Sequence, residues 1–117
     1  MEDIIGLLFY ARTVTHIEHL KTKSYAQHVA LGSFYDEVIE LADKLAEAYQ
    51  GDKGLLGPIP QYAKIPDYSI DTFLEKQMNT IETLRKQGDY RSALQNILDE
   101  VIGLYLSTLY KLRNLSW

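Results

Sequence analysis

Three histidines and a stripe of carboxylates are the side chains of this 117-residue sequence whose types and spacing could do chemistry. His16, His19 and His28 fall within one short stretch near the N-terminus, and Asp36, Glu40, Asp43 and Glu47 follow at i, i+4, i+7 and i+11, one face of a helix. Imidazoles and carboxylates together suit iron, zinc or manganese. The chain has no cysteine, which excludes disulfides, thiolate metal sites and a cysteine nucleophile. Each residue alone has a plainer use. A histidine near a helix end is ordinarily a cap or a surface residue, and a lone acidic stripe is ordinarily solvated. Asp43 and Glu47 form a like-charge i,i+4 pair, mildly destabilising unless a cation sits between them, and Lys44 beside Glu40 offsets part of that.

The elements that must position these residues are helical. Ile4, Leu7, Leu8, Ala11, Val14 and Ile17 recur at helical spacing and predict a helix over about 3–21. Ser24 and Gln27 have the spacing of a capping box, so a second helix is expected over about 25–49, with Phe34, Val38, Leu41, Leu45 and Ala48 inward and Gln50-Gly51 as its stop. Residues 51–68 hold all three prolines and three of the seven glycines and read as a loop. A third helix over 70–87, capped by Ser69 or Asp71, carries Ile70, Phe73, Leu74, Met78, Ile81 and Leu84. Gly88 is its expected stop, and Asp89 the expected cap of a fourth helix over 90–114. That helix is apolar on more than one face, as a helix buried in a bundle or against another subunit would be, with Asp99 and Glu100 placed at its boundary.

Short connections make helices one and two, and three and four, antiparallel hairpins. The middle connection spans about 50–60 Å if extended, whereas a 25-residue helix is only about 37 Å long. It can therefore cross the bundle end to end, the single-crossover topology of ferritin-like folds. The expected fold is all-α: a ferritin-like four-helix bundle, one domain over 1–117. On such a helix His28 and Asp43 stand about 22 Å apart along the axis and cannot hold one ion within one chain. If both are ligands, the site is shared between two copies.

The spacing His16-x11-His28-x14-Asp43-x3-Glu47, with Phe34-Tyr35-Asp36-Glu37 and Asp43-Lys44-Leu45-Ala46-Glu47 around it, resembles the ferroxidase pattern of the Dps family, the miniferritins. The stretch from His19 to Tyr35 is also similar to a family of short proteins of tailed bacteriophages. The Dps resemblance implies two histidines of one subunit facing an aspartate and a glutamate of its two-fold mate. The ligands would be His28, either His16 (by spacing) or His19 (whose His-Leu is similar to the family's His-Trp), Asp43 and Glu47. Iron, or zinc or manganese, would be the bound metal, and a ferroxidase-type oxidation the activity. The specific match covers residues 16–51. The lysine-rich DNA-binding tail of many Dps proteins is missing, and the middle loop is too short for the extra helix found there.

Bulk properties narrow the classes. The net charge of −4 and scattered lysines argue against nucleic-acid binding. Met1-Glu2-Asp3 lacks the basic start of a signal peptide and no apolar run approaches the ~20 residues of a membrane span, so a cytoplasmic, membrane-free protein is expected. A short chain with a wide apolar helix is expected to pair with itself as a two-fold dimer or larger homo-oligomer. The competing expectation is a non-catalytic helical bundle, a phage accessory protein that binds a host protein or small molecule.

Overall fold

The computed structural model describes residues 1–116 and contains four helices: α1 (Glu2–Lys21), α2 (Tyr25–Lys53), α3 (Ile70–Gln87) and α4 (Ser92–Asn114). No strand occurs among the described residues. The bundle measures 45 × 26 × 21 Å, and its long axis is that of α2, which at 29 residues is about 43 Å long.

Each apolar stripe faces a common core. Ile4, Leu8 and Ala11 of α1, Phe34, Val38 and Leu45 of α2, Leu74 and Ile81 of α3, and Leu98, Val101 and Tyr105 of α4 are buried together. Phe34 meets the Tyr105 ring edge-on at 5.1 Å. Thr15 is buried without penalty because its hydroxyl donates to the Ala11 carbonyl one turn back at 2.7 Å. A less comfortable polar group is Gln77: its Oε1 accepts from Tyr105 at 2.7 Å, while its Nε2 has no hydrogen-bond partner.

The connection between α2 and α3 runs the length of α1. It begins where the Gly57 N–H donates to the Glu2 carboxylate at 2.8 Å. It passes Gly6, where a Cβ would lie 2.7 Å from the Pro60 carbonyl oxygen, and reaches Tyr10, which packs on Tyr62 at 5.2 Å and donates to the Lys64 carbonyl. Ile65 and Tyr68 then lie beside Val14, Ile17 and Lys21 at the far end of α1. So α2 and α3 point the same way, α1 packs on α2 and α3, and α4 packs on α2 and α3. Ion pairs fix the corners: Arg91 to Asp52 at 2.8 Å at one end, Arg113 to Asp71 at 3.1 Å at the other.

Two boundaries differ from the sequence reading. α2 continues through Gly51, and its stop is Gly54, the residue that adopts positive φ (100°) and whose N–H caps the Gln50 carbonyl at 3.0 Å. Asp89 is not a cap: α4 begins at Ser92, after Arg91, because Tyr90 is spent on packing against Tyr49 (6.3 Å) and across Gly88. Gly88 stops α3 as expected with an ordinary φ of −92°, and a Cβ there would fall 2.3 Å from the Tyr90 ring, which would have to shift. Ser24 caps α2 as expected, its hydroxyl accepting from the Gln27 N–H at 3.2 Å.

Candidate functional site

The three histidines meet at the hairpin end of α1 and α2. Residues 22–24 turn the chain, so the last turn of α1 and the first turn of α2 lie side by side. His19 and His28 stack with ring centroids 3.7 Å apart. Each ring reaches across to the other's backbone: His19 Nδ1 to the His28 carbonyl at 2.6 Å, and His28 Nδ1 to the His19 carbonyl at 2.8 Å. The His19 carbonyl belongs to the last turn of α1, where carbonyls lack intrahelical partners, so His28 acts in part as a side-chain cap of α1. His16 stacks on Tyr35 at 4.1 Å, and Tyr35 meets His19 edge-on at 5.3 Å. Room for the His19 ring comes from Gly32, where a Cβ would lie 3.1 Å from its Cε1.

A carbonyl oxygen only accepts. In both rings the proton must therefore sit on Nδ1, which leaves Nε2 of the neutral imidazole as the lone-pair atom. A backbone carbonyl on one ring nitrogen is the usual way a metal-binding histidine is held in its tautomer. The pair is thus fixed in a form able to accept a cation or a proton at Nε2. It is also a structural clasp closing the α1–α2 hairpin.

The carboxylates stand apart. Asp36, Glu40, Asp43 and Glu47 are all exposed, and Asp43 is four helical turns from His28 on the same rod. Among the described residues no group of three or more His, Asp or Glu side chains is arranged to hold a metal ion. The core offers no alternative: its buried polar residues are Thr15, Gln77 and Thr108, with no carboxylate or imidazole. Lys44 pairs across the bundle with Glu100 at 3.1 Å rather than with Glu40, and Asp99 is held at 2.6 Å by Arg85, so both boundary carboxylates of α4 have cationic partners.

On a helical projection the outward face of α2 reads Tyr25, Val29, Asp36, Glu40, Asp43 and Glu47, apolar at its start and acidic beyond. Tyr25 (59 % exposed) and Val29 (48 %) border a groove completed by Ala30, Ser33, Lys111 and Leu115. Sequence reasoning located the histidines and the acidic stripe but missed this groove and the clasp.

A family model matches residues 19–112, which include His19, His28, Asp43 and Glu47. The chain belongs to this family of unknown function (DUF5856). It is also similar to an uncharacterized 14.6 kDa protein of the mobD-ri intergenic region of Enterobacteria phage T4, with 29 % identity over 113 residues, 95 % of this chain and 86 % of that protein. No solved structure matches the chain. No helix among the described residues is long and apolar enough to cross a membrane.

Proposed function

We propose that this member of the phage-related family is a ferritin-like, Dps-like protein that binds a divalent transition metal at a site shared between two copies. Iron is the first candidate, with zinc or manganese open to the same ligands. The observation that carries the reading is the crossed hydrogen bonding of His19 and His28, which leaves Nε2 of each ring as its lone-pair atom at one end of α2. The end-to-end connection supports the ferritin-like part, since it gives the single-crossover topology of that class. The apolar core supports placing the metal between subunits, because a ferritin-like centre inside the bundle needs inward glutamates and histidines that are not there.

The reading implies a register. If α2 packs antiparallel on α2 of a second copy with Asp43 opposite His28, positions whose numbers sum to 71 face each other and Glu47 comes opposite Ser24. His28 of one copy, together with His16 or with His19 once its ring leaves the His19–His28 stack, would then supply neutral imidazoles, and Asp43 and Glu47 of the other the negative charge. Fe(II) oxidation there would pass one electron per iron to dioxygen or peroxide, with the protein supplying ligands and position.

Calorimetric titration of untagged protein with Zn(II), and with Fe(II) under nitrogen, tests the reading. Binding should be lost in His28→Ala and in Asp43→Ala with helical content unchanged. Co-refolding the two variants should restore about a quarter of the sites, because random pairing makes half the dimers mixed and each mixed dimer keeps one intact site of two. Undiminished binding by Asp43→Ala, or no recovery in a mixture whose parents are both dimeric, would refute it.

A further inference from the structure

Lys111 lines the groove beside Val29, Ala30 and Ser33 and makes no ion pair among the described residues. Toward the other end of α2, Asp36, Glu40, Asp43 and Glu47 are exposed, and none has an ion pair among the described residues. One end of this face is therefore apolar and basic, and the other acidic. Such a surface complements itself when two copies pair head to tail about a two-fold axis.

We infer that a second copy of this chain docks its acidic half of α2 on the groove between α2 and α4, with Lys111 facing Glu40 of the partner subunit. The inference rests on the register proposed above and adds a contact which that reading does not contain. With facing positions summing to 71, residues 29–33, which flank Lys111, lie opposite 38–42. A two-fold axis perpendicular to antiparallel helices keeps both α4 helices on the same side of the interface, and both α1 helices on the other. Within 38–42 of α2, Glu40 is the acidic residue turned outward and toward the α4 side, about 120° from His28 on the helical wheel, so it meets Lys111. Asp43, about 60° from His28 and nearer the α1 side, is left to the histidines. The groove's apolar walls, Tyr25, Val29 and Leu115, would lie under the aliphatic stems of the partner's acidic side chains.

Sedimentation velocity in EDTA, at about 50 mM and about 500 mM NaCl, separates this contact from metal binding. The wild-type protein should associate at micromolar concentration and weaken at high salt. Lys111→Glu and Glu40→Lys should each raise the dimer dissociation constant by about tenfold or more. The combined variant Lys111→Glu/Glu40→Lys should return to within about threefold of wild type. Unchanged association of Lys111→Glu, or no recovery in the combined variant when circular dichroism shows both folded, overturns the inference. Intact charge rescue together with absent metal binding would leave this interface standing and remove the metal.

Discussion

The buried Gln77–Tyr105 pair gives a sharp energetic test. Tyr105 is fully buried and donates to Gln77 Oε1, while Gln77 Nε2 is stranded in an apolar core. Removing one member of a buried pair strands the other at about 1–3 kcal/mol, whereas removing both can be neutral or stabilising. Tyr105→Phe should therefore destabilise by about 1–3 kcal/mol, since the whole Gln77 amide is then unpaired. Gln77→Met, close in shape and a good helix former, relieves the stranded Nε2 but strands the Tyr105 hydroxyl, so its effects nearly cancel. The double variant keeps neither polar group and should be at least as stable as wild type, giving a coupling of about 1–3 kcal/mol in favour of the pair of changes. Urea unfolding monitored by circular dichroism measures each corner, and 1 kcal/mol corresponds to about 4 °C in melting temperature at this size. Additive losses, or a loss above about 3 kcal/mol from Gln77→Met alone, would show that Nε2 is satisfied and refute the reasoning.

Two further outcomes follow from the same physics. Burial pushes the Tyr105 phenol far above its ordinary value; the unfolded chain loses this proton near pH 10 while the folded one keeps it, so stability is full below that pH and declines above it, by up to about 1.4 kcal/mol per pH unit. Tyr105→Phe should flatten the alkaline arm of stability against pH without abolishing it, because Tyr10 and Tyr90 are raised in the same direction by burial; an unchanged slope would count against this. Gly32→Ala should lose stability despite the gain of about 0.5–1 kcal/mol normally expected inside a helix, since its Cβ would press on a His19 ring already backed by His28. In a His19→Ala background the same change should become stabilising, and a gain in both backgrounds would mean the ring yields freely.

The helices and the route of the long connection were legible because they depend on local spacing and length. Ile4 through Val14, Phe34 through Leu45 and the proline-rich 51–68 stretch each carry their signal in the chain itself. Gly51 and Asp89 misled for opposite reasons. Gly51 keeps the helical conformation and α2 runs on until the backbone turns to positive φ at Gly54, and a capping residue fails where its neighbour Tyr90 is needed for packing. The clasp was not legible because each histidine bonds to a backbone carbonyl, and side-chain patterns do not report carbonyls. A signal did exist: His19 and His28 flank the 22–24 turn at similar distances, which places the two residues abreast in any tight hairpin. The stranded amide of Gln77 was hidden for a related reason, since Gln77 lies among exposed-looking neighbours and only the position of Tyr105 on another helix draws it inside.

The strap along α1 also bears on how the chain finds its fold. Each hairpin closes over a short turn, so α1–α2 and α3–α4 can zip early with little loop entropy lost. The pairings of α1 with α3 and α2 with α4 span dozens of residues and carry the larger loop-closure cost, which the strap laid from Gly57 at Glu2 to Lys64 at Tyr10 bridges in the folded chain. Those anchors work as a ruler. They set how much chain is consumed before Ile70, and with it the height at which α3 starts. One residue deleted between Pro60 and Lys64 should misregister the second hairpin against the first while leaving both hairpins formed.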